Sequence, residues 1–279
     1  MNLRSIKNEI IFLMIVLSVG VILLAIFSLM IVPLILGFKV IIETGPAFFT
    51  TEPAAPGEES PGGIYYTLIG SFVMISLAVA IAFPIGFLTG VYINEYPQTR
   101  LATLAESASH FLSEVPSVIL GIFIYATYVL ATKKTSLVAG ALSLSLAILP
   151  YTVVQVRESL RVIPLIYREA AHSLGLPKWK TVFFVLVPMN MRGILVGLLS
   201  AFLRAFSETA PVLFTAGAAF YGFYGLDGPS STLPLLVWNF AKTPYENWQK
   251  LAWGASSILA LVSISLSLII RKATKEVRF

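Results

Sequence analysis

The sequence predicts an all-α integral membrane protein with six transmembrane helices and both termini in the cytoplasm. Composition, run length and charge placement carry that expectation. The 279 residues are 57% hydrophobic and 12% charged, with a mean hydropathy of +0.86; a soluble domain carries about twice that charged fraction. Several apolar runs reach the ~20 residues needed to cross a bilayer. Most Lys and Arg residues fall at alternate ends of those runs, as topology determinants do.

The same inventory excludes several chemistries. The net charge of +5 resides mostly at helix ends, so it reads as membrane topology rather than nucleic-acid binding. There is no cysteine, hence no disulfide, thiolate nucleophile or Cys-based metal site. The two histidines, His110 and His172, have no paired-ligand spacing. No phosphate-binding P-loop, nucleophile elbow or S-x-x-K motif is present, and the single aspartate, Asp227, lies in a loop.

The first helix covers residues 10–36, preceded by Arg4 and Lys7 and closed by Pro33 and Gly37. It is too long for a signal-peptide core of about 7–15 residues and reads as a retained anchor. Residues 39–63, acidic and rich in Pro and Gly, are expected to form an exposed loop. The second helix, 64–93, contains Pro84, which should kink it or end its membrane portion. Residues 94–110 read as a surface connection. Helix three follows at 114–131 with Glu114 at its start, then the Lys133-Lys134 turn and helix four at 137–154.

The connection 155–187 is polar to mixed. Helix five is expected over 190–217, then an exposed loop at 220–249 whose Trp238, Tyr245 and Trp248 suit an interfacial belt. Helix six spans 251–270 before a basic tail, Arg271, Lys272, Lys275 and Arg278. The chain divides into an N-terminal helix with its extracytoplasmic loop (1–63) and a five-helix core (64–279).

Helix five carries two charges in an apolar setting, Arg204 and Glu208. At 100° per residue, Gly193, Gly197, Ser200, Ala201, Arg204, Glu208 and Pro211 share one face, opposite Leu195, Leu199, Phe202 and Phe206. An ionised group at a helix centre costs about 2.5–3.5 kcal/mol on insertion scales, so it faces protein or a cavity. Two readings stand: a self-neutralised pair joining helices, or a pathway pair in which Arg204 meets an anion. Gly86 with Gly90, and Gly193 with Gly197, have the small-x-x-x-small spacing of close helix packing.

Glu169-Ala170-Ala171-x3-Gly175-x9-Val185-x-Val187-Pro188 resembles the EAA loop of the ABC importer permeases, with Val in place of Ile and Leu. The stretch Arg204-x3-Glu208-Thr209-Ala210-Pro211-x-Leu213-Phe214-Thr215-Ala216 is similar to the phosphate permease family PstA. So are Pro84-Ile85-Gly86, Glu95-Tyr96, Pro116-Ser117-Val118-Ile119-x-Gly121 and Trp248-Gln249-x-Leu251-Ala252-Trp253.

The resemblance implies a type I ABC importer permease fold, an inner-membrane location and phosphate import. It implies that residues 155–187 form a cytoplasmic coupling loop of two short helices. There Glu169, Ala170, Ala171 and Gly175 would dock the ATPase, while Arg204, Glu208 and Thr209 would border the substrate path. The partners it implies are a PstC-like permease, an ATPase dimer and a PstS-like phosphate-binding protein. This chain would bind no cofactor itself, with ATP and Mg in the ATPase. Transport of another oxyanion, sulfate or molybdate, by the same fold is the nearest alternative. An ion-coupled carrier working without ATP is a more distant one.

Overall fold

Apolar periodicity over long runs yields an all-helical chain among the described residues, 3–275 of the computed structural model, with side chains described from Lys7 to Thr274. Arg4, Lys275 and Arg278, assigned above to topology, lie outside those side chains. Four unbroken helices have spanning length: α1 (Leu3–Thr44), α2 (Tyr65–Glu95), α5 (Leu137–Arg161) and α10 (Glu246–Lys275). Two bent pairs raise the candidate crossings to as many as six: α3 (Arg100–Glu114) with α4 (Ser117–Thr132) at 101°, and α7 (Lys178–Met189) with α8 (Met191–Ser207) at 76°. Two shorter helices are α6 (Leu165–Ser173) and α9 (Leu233–Phe240), and a single helical turn forms at Ala47–Thr50.

The two ends of the bundle are chemically distinct. At one, Arg157 pairs with Glu106 at 2.5 Å and Arg168 with Glu95 at 2.8 Å. At the other, the Ser136 amide donates to the Thr215 carbonyl, and Trp248 Nε1 donates to the Ala54 carbonyl at 2.9 Å. Gly37 of α1 sits on the backbone of Trp253 and the side chain of Ser257, in the first half of α10. The Lys7 end of α1 and the Lys272 end of α10 therefore point the same way, toward the arginine-rich end. This agrees with the expected sidedness, the termini themselves lying outside the described residues.

The core lies where α2, α5, α8, α9 and α10 meet, with Met74, Ile75, Leu144, Ile148, Leu235, Leu236 and Leu251 fully buried. A second cluster at the arginine-rich end, Val91, Val156, Leu160, Val182 and Leu186, joins α2 and α5 to α7. The Gly86 and Gly90 spacing does what close packing requires. A Cβ on Gly86 would stand 2.7 Å from the Thr152 side chain, and one on Gly90 2.7 Å from the Val153 carbonyl. Gly86→Leu is therefore expected to pry α2 from α5 at a cost of about 1–3 kcal/mol. Thermal unfolding of the purified chain in detergent should show a Tm lowered by roughly 3–10 °C; an unchanged Tm would contradict that packing.

Several boundaries differ from expectation. α1 runs through Pro33 and Gly37 to Thr44, because Gly37 is a contact on α10 rather than a stop. Pro84 lies inside α2 without ending it, since neighbouring helices and membrane surroundings make interior Pro tolerable. Residues 100–114 form a helix, not a surface connection, opened by Thr99 accepting a bond from the Ala102 amide. Glu114 consequently closes that helix instead of starting the next; Val115 and Pro116 make the bend.

The outer loops are more anchored than predicted. Phe48 is fully buried against Gly254. Asn247 Nδ2 donates to the Ala55 carbonyl and accepts, through Oδ1, from the Gly57 amide. Within 220–249, expected to be exposed, Ser230 to Leu236 are buried and α9 packs on α10, with Phe240 stacked on Trp248 at 4.5 Å. Pro234 in the first turn of α9 was the legible start signal.

Candidate functional site

The segment carrying the charged pair is only partly helical. α8 ends at Ser207, and Glu208 is extended (φ −83°, ψ 129°). Pro211 accounts for the early end: it has no N–H to pair with the Ser207 carbonyl, and its ring disfavours helical backbone at the residue before it. Residues 208–216 cross the bundle as turns held by hydroxyls. Thr215 Oγ1 donates to the Pro211 carbonyl at 3.0 Å and lies 3.2 Å from Ser143 Oγ. Gly121 of α4 leaves room for this strand of chain; a Cβ there would come 2.6 Å from the Pro211 carbonyl oxygen.

Arg204 Nη2 and Glu208 Oε1 are 2.7 Å apart, with the carboxylate 11% exposed and the guanidinium side chain 45% exposed. The guanidinium lies 4.6 Å over the Tyr151 ring. It opens into a groove of about 420 Å3 lined by Tyr151, Gln155, Ser200, Ser207, Ser267 and Arg271. Glu208 therefore orients Arg204 beside a groove whose wall is mostly apolar, Leu203 and Ile270 included, and carries the hydroxyls of Ser200, Ser207 and Ser267. Thr209 lies one groove away, about 360 Å3, with Trp238 and Ser263; Ser207 borders both.

The predicted single face of helix five is divided. Gly197 and Ala201 are buried in the body, while Ser200 and Arg204 face the groove. Gly193 packs against the Asn190 side chain of its own bend. Sequence reading missed Tyr151, Ser267 and Arg271 here. Arg271 was assigned to topology alone, and no one-dimensional pattern brings the far end of α10 beside Arg204.

The cytoplasmic stretch folds as two short helices around Gly175. The glycine has φ +78° and closes α6 with a Schellman pair: the Gly175 amide donates to the His172 carbonyl, and the Leu176 amide to the Ala171 carbonyl. Glu169, Ala170 and Gly175 are exposed, whereas Ala171 packs inward. Apolar Leu165, Ile166 and Leu174 are exposed alongside them. On the opposite side of the bundle, partial burial and then the Glu52 carboxylate hold the Tyr221 phenol above its ordinary pKa range, so it is neutral at pH 7.

Residues 82–271 match the family described as the binding-protein-dependent transport system inner membrane component. The Pasteurella multocida phosphate transport system permease protein PstA is 34% identical over 96% of this chain and 94% of its own length. The chain belongs to the PstA family of binding-protein-dependent transport permeases. The archaeal Methanocaldococcus jannaschii protein, named a probable phosphate transport system permease protein PstA, is 31% identical over 99% and 96% of the two chains. Among solved structures, the inward-facing MetNI methionine ABC transporter superposes with a TM-score of 0.56 at 19% identity, over 75% of this chain and 94% of that one. That likeness establishes the fold as the one shared by type I ABC importer permeases.

Proposed function

We propose that this chain is the membrane permease subunit of an ATP-driven phosphate importer in a prokaryotic inner membrane. Similarity to PstA proteins over nearly the whole length carries the substrate assignment. In this reading the chain supplies half of the translocation path. A PstC-like permease supplies the other half, and a PstS-like binding protein delivers phosphate to the outer face. Two ATPase subunits hold ATP and Mg, and one of them docks on this chain's loop of Glu169, Ala170, Ala171 and Gly175, in which Ala171 packs beneath the exposed face. The chain itself performs no hydrolysis and holds no cofactor.

Arg204 offsets the negative charge of phosphate in passage, Glu208 fixes its orientation and Thr209 borders the neighbouring groove. Contact is weak by design, since a deep well would trap the ion. The test is uptake into proteoliposomes holding the chain with its permease partner, ATPase and binding protein. ATP-dependent accumulation of radiolabelled phosphate, uncompeted by sulfate or molybdate, is expected. Uptake of sulfate in its place, or uptake by the chain alone without ATP, would overturn the assignment.

A further inference from the structure

We propose that the Glu95–Arg168 ion pair is the latch through which the coupling helix α6 moves the membrane helices, carrying α2 with it rather than pushing along α8. The inference rests on the reading of residues 169–175 as the ATPase docking element. α6 has two chemically distinct faces, because consecutive helical residues diverge by about 100°. Glu169 and Ala170 face outward; Arg168 and Ala171 face the body of the protein. Arg168 is one residue from the docking carboxylate and is 16% exposed, against a Glu95 side chain that is 4% exposed.

The guanidinium is nearly saturated. Nη2 donates to Glu95 Oε1 at 2.8 Å, and Nε reaches both carboxylate oxygens at 3.3 Å. Nη1 donates to the Ile163 carbonyl at 2.9 Å, and Nη2 also to the Leu160 carbonyl at the end of α5. Asn94 Nδ2 donates to Glu95 Oε1 at 2.7 Å. Lys178, the first residue of α7, donates to the Glu95 backbone carbonyl and stands 4.0 Å from the Tyr96 ring centroid. The end of α2, the end of α5, α6 and the start of α7 thus meet at the Glu95–Arg168 pair: Arg168 binds the carboxylate and the Leu160 carbonyl, and Lys178 binds the Glu95 backbone carbonyl.

The covalent route from the docking element to Arg204 is poorly suited to push. α7 and α8 meet at 76°, α7 contains wider π-type turns at Thr181–Leu186, and Asn190 at the bend is tied to the Ser159 carbonyl of α5. A displacement of α6 reaches α2 through a desolvated, multidentate charge pair instead, and such pairs hold fixed geometry. Glu95 is a positioning residue: it touches no substrate and acts through Arg168.

The experiment uses the complete transporter in proteoliposomes, reading subunit stoichiometry, ATP hydrolysis and phosphate uptake together. Glu95→Gln keeps the shape and removes the charge. It is expected to leave assembly and ATP hydrolysis intact while the phosphate-to-ATP ratio falls by roughly tenfold, the scale of an ordinary coupling free energy. Arg168→Lys, which keeps charge but loses the fork, should give an intermediate ratio.

Because the chain has no native cysteine, Glu95→Cys with Arg168→Cys can be joined by a short bifunctional thiol reagent. The ratio should be low before linking and rise after it. An unchanged ratio in Glu95→Gln overturns the latch. So does loss of assembly in both Glu95→Gln and Arg168→Lys, which would make the pair a folding element. A wild-type complex importing sulfate would sink the substrate reading but leave the ratio measurable with sulfate. A wild-type chain that captures no ATPase would sink both.

Discussion

Arg204→Ala is expected to reduce ATP-driven phosphate uptake about a hundredfold while the complex still assembles. An uncompensated charge in an apolar membrane setting costs up to about 2.5–3.5 kcal/mol on insertion scales, which corresponds to roughly a hundredfold in rate if that cost falls on the passing anion. The guanidinium borders the groove with Ser200, Ser267 and Arg271, and Glu208 accepts only part of its donor set. Arg204→Lys should retain on the order of a tenth of wild-type uptake: the charge survives, but the planar contact over Tyr151 does not.

The pair could also serve only to join helices, and a double variant separates the two roles. Arg204→Ala alone leaves Glu208 buried without its cation, so part of any loss would be structural. Arg204→Ala with Glu208→Gln removes that burden. Recovery of thermal stability without recovery of uptake is expected. Normal uptake by the double variant would assign the pair to helix packing.

The second large effect falls on the coupling bend. Gly175→Leu requires an L-residue at φ +78°, at a cost of about 1–2 kcal/mol, yet a Cβ there meets no neighbouring atom within 4 Å. The perturbation is therefore local: α6 loses its Schellman end and its exposed face turns, while the core is untouched. Glu169→Lys reverses an exposed charge, and the Ser173 hydroxyl keeps its acceptor, the backbone carbonyl of residue 169. Both variants should cut phosphate uptake by at least about tenfold and abolish stimulation of ATP hydrolysis by the binding protein. Stimulation at the wild-type level in both would place ATPase docking elsewhere.

Much of the fold was legible because membrane helices announce themselves by length and apolarity. The long helices α1, α2, α5 and α10 and the sidedness of the charged ends followed from local pattern, and the turn at Gly175 from the resemblance to the EAA loop. What escaped were features set by tertiary contacts. Gly37 looks like a terminator in one dimension and is a helix contact in three. α9, with eight residues, is too short to register as a crossing and looks like loop, although its Leu235 and Leu236 are among the most buried residues. The run from Asn190 to Gly217 looked continuous because its residues stay apolar. Pro211 was sufficient reason to end the helix at Ser207, and the weight given to helical periodicity hid it.

The site was legible in the same uneven way. Arg204 and Glu208 stood out because charge in an apolar run is costly, and their ion pair survives the loss of helix at Glu208. Tyr151, Ser267 and Arg271 are separated from Arg204 by dozens of residues and carry no motif. Glu95 was visible in the Glu95-Tyr96 piece and Arg168 as a neighbour of Glu169, with no sign that they meet; their pairing depends on α2 ending beside α6, which topology decides.

Access to the groove at Arg204 tests the central claim most directly. In a chain without native cysteine, Ser200→Cys places one thiol on the groove wall. In the assembled transporter it should react with a charged, membrane-impermeant thiol reagent from one side only, and the reactive side should switch when nucleotide is trapped on the ATPase. Reaction solely with lipid-soluble reagents, indifferent to nucleotide, would place that face against acyl chains and contradict the account.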